Sequence, residues 1–356
     1  MIKFFRHIRK SLLMENKTSK YFKYAIGEIV LVVIGILIAL QINIWNQEKN
    51  NEQKVIKTLQ QVQKDLLNDL QEAQYFSDAW EKNDKMLNLF FNETKPEQYF
   101  RDNLFAFSRI ALATNRFVQN KQGYNRLNDQ LDIVPSKYDE VLIKLSRLYN
   151  ERSTFLNKNQ VAYNKIVQDY RIYLYDNYEW MENYNSNNIK ESKEAFDYFY
   201  LSKKHRKNLV KHRAYFNRYE NQISAIKDQY LLCYLVIRNM INDTSEFPEI
   251  IKSFGLDYAN NSIEDFIGGY GLKGDSISLK FIEKKYNVLF WTDKNQRELY
   301  TEGFILREYG KDSLGFVGSN IYPMKFARDS TNKVTGFKGY DINDADNSVE
   351  ILKLDK

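Results

Sequence analysis

The stretch Ile29–Leu40 reads IVLVVIGILIAL and contains no polar side chain. Together with its flanks, Tyr24–Glu28 and Gln41–Trp45, it forms a segment of 22 residues. As a helix this segment is ~33 Å long at about 1.5 Å per residue, which is enough to cross a bilayer. The sequence therefore predicts a transmembrane helix over residues 24–45.

Two other interpretations of this segment are a cleaved signal peptide and a buried helix of a soluble protein. A signal peptide usually has a shorter basic region, and no A-x-A pattern follows Leu40. Core helices of soluble proteins rarely contain twelve consecutive apolar residues, as this chain does. We therefore expect a retained anchor.

Charge determines the expected orientation. Residues 1–23 carry seven basic side chains and one acidic one, and so account for the whole net charge of +6. The flank after the span, from Glu48 to Lys54, is balanced. The positive-inside rule then predicts a cytoplasmic N-terminus and an exported chain after Trp45, which in a bacterium lies in the periplasm. Because the remainder is neutral, no nucleic-acid partner is expected.

The basic tail, residues 1–23, is expected to contact membrane lipids. Phe5, Ile8 and Leu12 share one helical face, which suits a helix on the anionic inner leaflet. Basic and aromatic residues near the ends of the span are typical interface anchors. These are Lys20, Lys23, Tyr24 and Trp45.

The N-terminal sequence also resembles a known family. It is similar to the start of a family of uncharacterised single-pass membrane proteins common in the Bacteroidetes. The similarity is most specific at the beginning of the span, YAIGEI over Tyr24–Ile29, and at its end, LQIN over Leu40–Asn43. The likeness is strongest over residues 1–50, and Ile44 stands where asparagine is expected. The resemblance implies a membrane anchor and a bacterial source, and it implies no activity.

Glu28, Gly35 and Ala39 form the candidate site for helix association. They are spaced seven and eleven residues apart, so they share one helical face, and Gly35-x-x-x-Ala39 allows two helices to approach closely. An ionisable group in an apolar segment indicates pairing with a partner or proton transfer. Alternatively, Glu28 reaches the headgroups, where Lys23 or Lys20 neutralises it. Proton-driven stator subunits share this layout of tail, acid-bearing span and outer domain.

Glycine and proline divide the exported part. Between Ile36 and Met240 the chain has one glycine, Gly123, whereas eleven glycines occur in the 116 residues after Met240. A chain almost free of helix breakers favours helices, and a glycine-rich chain favours turns and strands. We predict an exported helical bundle over residues 46–245 and a C-terminal β module, a small antiparallel sheet or partial barrel, over residues 262–356. The whole is mainly α.

The first helix is expected to continue from the membrane, because apolar residues from Val55 to Trp80 follow 3–4 spacing, a pattern that only Asp69 interrupts. Gly123 is interpreted as a turn, and Phe155 as a core residue of a later helix. Further helices are expected over Glu97–Phe117, Lys137 to about Tyr175, and Leu201–Ile241.

Alternating residues predict the strands of the C-terminal module. These strands are expected at Ser276–Phe281, Asn287–Trp291, Glu298–Glu308, Gly315–Arg328, Lys333–Tyr340 and Ser348–Leu354. Asp312–Gly315 and Asp329–Asn332 are interpreted as hairpin turns. Met324–Asp329 and Val334–Phe337 are loosely similar to lipocalin-like modules of exported bacterial hydrolases, which implies a module that accompanies a catalyst.

Motifs for chemistry are sparse. Gly269–Gly274 matches G-x-G-x-x-G but precedes a strand-like pattern, so we interpret it as a glycine-rich turn. His205 and His212 have cationic neighbours and are interpreted as surface histidines, not as metal ligands. Cys233, the single cysteine, lies in an apolar run and is expected to be buried. We predict no catalytic residue, cofactor or metal.

The sequence thus favours a non-enzymatic, membrane-anchored interaction or scaffolding protein of the bacterial envelope, with a protein partner or a second copy of itself. One alternative is a sensory or proton-coupled subunit of an inner-membrane complex that uses Glu28. Another is an envelope ligand-binding protein that uses the β module.

Overall fold

The described part of the chain forms two compact units. The computed structural model describes residues 18–185, 188–272, 280–293, 303–317, 323–341 and 344–354. One unit contains the described residues up to Thr58 together with 127–136, and the other contains the rest. Most described residues are helical, and an antiparallel barrel follows them. Phe5, Ile8 and Leu12 lie outside the described residues.

The first helix, α1, runs without interruption over Thr18–Phe91 and confirms that the apolar segment continues into the next part of the chain. After the apolar stretch, the apolar residues at 3–4 spacing face the core, since Leu59, Leu66 and Leu87 are buried. The helix ends just before Glu93, which adopts a positive φ of 54°, a conformation that stops a helix.

The remaining helices follow the predicted breaks in outline. Ser192 and Ser202 cap the helices that begin at Lys193 and Lys203, because their hydroxyls accept hydrogen bonds from Ala195 N and His205 N. The helices are α2 (Glu97–Asp102), α3 (Leu104–Leu112), α4 (Gln122–Asn128), α5 (Asp139–Ser146), α6 (Ser153–Asn177), α7 (Asn188–Glu191), α8 (Lys193–Leu201), α9 (Lys203–Met240), α10 (Glu249–Lys252) and α11 (Ile263–Phe266).

Two buried carboxylates of α1 hold the segment that leads into α4. Asp69 accepts Asn120 N at 2.9 Å and 3.0 Å through its two oxygens. Asp65 accepts Gly123 N at 2.7 Å. The buried Asp69 is tolerated in the apolar stripe because its carboxylate accepts a hydrogen bond from a buried backbone N–H group. Gly123 lies in the first turn of α4, so the predicted turn is wrong.

Phe155 is half-exposed, so its prediction as a core residue is also wrong. The helix predicted from Lys137 contains a π-helical segment, Arg147–Arg152, between α5 and α6. A π turn adds a residue, so the buried face moves on by one position relative to an α-helix. Leu148 and Tyr149 are accordingly followed on the core side by Ser153 and Leu156, and Phe155 falls on the exposed side.

The C-terminal β module is a closed barrel of eight antiparallel strands in sequential order, since the first strand pairs with both the second and the last. The strands are β1 (Gly268–Leu272), β2 (Lys280–Lys285), β3 (Val288–Asp293), β4 (Phe304–Gly310), β5 (Ser313–Phe316), β6 (Met324–Arg328), β7 (Val334–Asp341) and β8 (Asp344–Leu354). The antiparallel module is confirmed, and it closes completely because β8 is long enough to pair along both β7 and β1.

Aromatic rings pack together in the barrel. Tyr270 lies 6.0 Å from Phe326 and 5.7 Å from Phe337, and Trp291 lies 5.8 Å from Phe337. The ring of Phe266, from α11, packs edge-on against Phe326 at 4.9 Å. A barrel of eight strands has an interior just wide enough for such side chains to fill.

The predicted strand Gly315–Arg328 is wrong as a single element, because it spans the end of β5 and the whole of β6. The turn before β5 lies at Asp312, with φ of 54°, one step earlier than predicted. The turn at Asp329–Asn332 is confirmed between β6 and β7. The predicted glycine-rich turn is strand β1 in its described part, where Gly269 leaves room for the ring of Phe281 on β2, 3.4 Å from an added Cβ.

Gly123→Ala tests the contact between α1 and α4. Alanine normally stabilises a helix by about 0.5–1 kcal/mol relative to glycine. Here its Cβ would stand 2.9 Å from Val62 N and Asp65 Oδ2, so we expect a loss of about 1–3 kcal/mol in the free energy of unfolding. Urea denaturation measures it. Asn125→Ala, at an exposed position of α4, is the control and should cost little; equal stability of both variants would contradict the contact.

Candidate functional site

The apolar stretch of α1 lies on the surface. Every Val, Ile and Leu side chain from Ile29 to Leu40 is exposed, by between 46% and 64%. Among the described residues, this helix is the only one long and apolar enough to cross a membrane, and none of its apolar window is buried. Its length, composition and position suit either a membrane anchor or a signal sequence.

Glu28, Gly35 and Ala39 lie on one face of this stretch, because α1 is continuous through them. Ala39 is exposed and Glu28 is half-buried. No described atom outside its own helix turns lies within 4 Å of the place where a Cβ on Gly35 would stand. The small-residue face is thus open to a close approach by another helix.

The predicted interface anchors are described in part. The side chains of Lys20 and Tyr24 lie outside the described residues, and Lys23 is exposed. Trp45 is exposed, with Lys49 Nζ over its ring at 5.4 Å from the centroid. An aromatic ring beside an ammonium group, one turn beyond the apolar stretch, is the arrangement that suits a headgroup layer.

Both predicted surface histidines are buried, so that prediction is wrong. His205 and His212 are 0% and 2% exposed, on the inward stripe of α9 that continues through Phe216. The cationic residues next to them in sequence lie on other faces of the helix, where they are at least partly exposed. The 3–4 spacing of His205, Leu209, His212 and Phe216 was the signal for burial.

The two histidines belong to the aromatic core. His205 Nδ1 lies 2.6 Å from Tyr170 Oη, and that hydroxyl donates to Tyr198 Oη. His212 Nε2 lies 2.9 Å from Tyr163 Oη, whose hydroxyl donates to the Ala113 carbonyl. Each histidine can therefore donate to its tyrosine as a neutral imidazole.

Burial lowers the pKa of His205 to about 3 and that of His212 to about 4. Burial likewise raises the pKa of the Cys233 thiol to about 12. Cys233 is buried, as predicted. No group of three or more histidine, cysteine or acidic side chains in the described residues could hold a metal ion.

The sequence reasoning missed Lys227, a buried cation on the core side of α9. Its Nζ donates to Gln74 Oε1 at 3.2 Å and to Ser77 Oγ at 3.0 Å, both on α1. The detectable signal was a lysine beside Ile226 in the apolar stripe that continues to Tyr230.

Comparison with protein families gives one result for this chain. A family model of unknown function, DUF6090, matches residues 28–94. The matched range covers Glu28, Gly35 and Ala39, and it extends just past the end of α1. This supports the predicted resemblance to an uncharacterised family. No curated protein and no solved structure matches the chain.

His205→Phe tests the neutral buried histidine through the pH dependence of stability. The unfolded chain takes up a proton near pH 6.5, whereas the folded pKa is about 3, so His205 makes the fold less stable as the pH falls from 6.5 toward 3. Phenylalanine cannot titrate. Urea denaturation at pH 7 and pH 4.5 should show a smaller loss of stability on acidification in the variant. An equal loss in both proteins would contradict the burial of a neutral imidazole.

Proposed function

We propose that this chain is a membrane-anchored, non-enzymatic interaction or scaffolding protein of the bacterial envelope. The observation that carries the proposal is the uncovered apolar surface of α1, which has the length of a bilayer core. In this proposal the helix is a retained single-pass anchor, not a cleaved signal sequence.

The proposed orientation places the N-terminus in the cytoplasm and the chain after Trp45 in the periplasm. The basic side chains of residues 1–23, against a balanced flank after the span, support this direction. A source among the Bacteroidetes remains part of the proposal and rests on the resemblance of residues 1–50.

The partner in the membrane is proposed to be a second copy of this chain or another single-span protein. The open face at Gly35 and Ala39 supports close helix contact. Glu28 lies on that face near the entry to the membrane, where an ionisable group can bind a partner or reach the headgroups. Membrane lipids cover the rest of the segment, and no nucleic acid is involved.

The barrel supports an accessory role more than a catalytic one. The loose sequence similarity to lipocalin-like modules and the eight strands in sequential order support this role. Buried aromatic rings such as Tyr270, Phe326 and Phe337 pack against one another in it. We propose that it acts as a stable module beside the helical bundle.

Gly35→Ile tests the association face. The larger side chain would hold two helices apart, so we expect self-association in a membrane two-hybrid assay to fall several-fold. Val33→Phe adds bulk on the opposite side of the helix and should leave the signal unchanged. An unchanged signal for Gly35→Ile, with equal membrane levels of both variants, would remove this role.

A further inference from the structure

A polar cleft lies where α1 and α9 meet strand β4. Its volume is about 570 Å³, which is in the usual range of small-molecule sites. Gln74, Ser77 and Asp78 line it from α1, Glu220 and Lys227 from α9, and Arg307 from β4.

Two cations and two carboxylates of this cleft have no ion-pair partner within 4 Å among the described residues. The cations are Lys227 and Arg307, and the carboxylates are Asp78 and Glu220. Ion pairs do form at its margin, where Arg213 Nε lies 2.7 Å from Asp84 Oδ1. A cleft that served packing alone would be expected to pair its charges in the same way.

Neutral groups satisfy these charges only in part. Glu220 Oε1 accepts hydrogen bonds from Ser77 at 3.2 Å and from Ser224 at 2.9 Å. Asp78 Oδ1 accepts from Gln74 Nε2 at 2.8 Å. An ammonium ion has three donors, and the described partners of Lys227 Nζ, Gln74 Oε1 and Ser77 Oγ, account for two of them.

The hydrogen-bond donors of Arg307 are also only partly satisfied. Its guanidinium lies over the ring of Tyr309 at 4.2 Å and donates to the Tyr309 hydroxyl. Its Nε is buried and has no hydrogen-bond partner in the described part of the chain. A buried donor without an acceptor is costly, so the arrangement favours an acceptor supplied by a ligand.

We propose that this cleft binds a small zwitterion of the α-amino acid or short-peptide class. Lys227 and Arg307 would bind its carboxylate, and Asp78 and Glu220 its ammonium group. The two cations and two carboxylates that lack an ion-pair partner suit a ligand that is neutral overall and charged at both ends. The chain would then couple a periplasmic ligand site to its membrane anchor.

The test uses the full-length protein in lipid nanodiscs and isothermal titration calorimetry. The probes are the twenty L-amino acids and glycylglycine, and, for the tightest binder, its N-acetyl and C-terminal amide derivatives. We expect saturable binding of at least one probe and at least tenfold weaker binding of both blocked derivatives, because each lacks one charge. No binding by any probe, or equal binding of a blocked derivative, would overturn the proposal.

Variants then assign the site. Arg307→Gln and Asp78→Asn should each weaken binding at least tenfold. Lys165→Gln and Asp169→Asn, which break an exposed ion pair on α6, are the matched controls and should bind as the unmodified protein does. Asp78 is exposed, so Asp78→Asn decides the question if Arg307→Gln fails to fold. Unchanged binding by Asp78→Asn would overturn the assignment.

Discussion

The exposed apolar surface of α1 is the constraint on which the account depends. Ten large aliphatic side chains between Ile29 and Leu40 are each about half exposed. At about 1.5–3 kcal/mol for full burial of each, their exposure to water costs on the order of 10 kcal/mol. That is comparable with the whole stability of a domain, so a lipid or protein surface is needed to cover them.

The same helix also packs against other helices after its apolar stretch. Its carboxylate Asp69 accepts the backbone N–H of Asn120 and its carboxylate Asp65 accepts that of Gly123. The ring of Trp80 stacks on Phe216 of α9 at 3.8 Å. Polar groups on an otherwise apolar stripe are tolerated here because each has a backbone partner. One continuous element thus connects the proposed anchor to the core of the bundle.

The sequence predicted the positions of helices and strands better than it predicted which of their side chains are buried. Strong periodicity and the scarcity of glycine predicted α1 and α9, and alternation predicted most strands of the barrel. Phe155 was misplaced because a π turn changes the helical period, which composition does not reveal. His205 was misplaced because its charged neighbours in sequence outweighed its 3–4 spacing. Arg307 and Lys227 meet only through tertiary contacts, so their cleft could not be read from the chain.

Membrane topology tests the central claim most directly. Alkaline phosphatase, active in the periplasm, and green fluorescent protein, fluorescent in the cytoplasm, can each be fused after Lys356, and the mature N-terminus can be sequenced. The account predicts an active phosphatase, a dark fluorescent protein and a mature chain that retains Ile29–Leu40. A fluorescent fusion with an inactive phosphatase, or a mature chain that begins beyond Asn43, would contradict it.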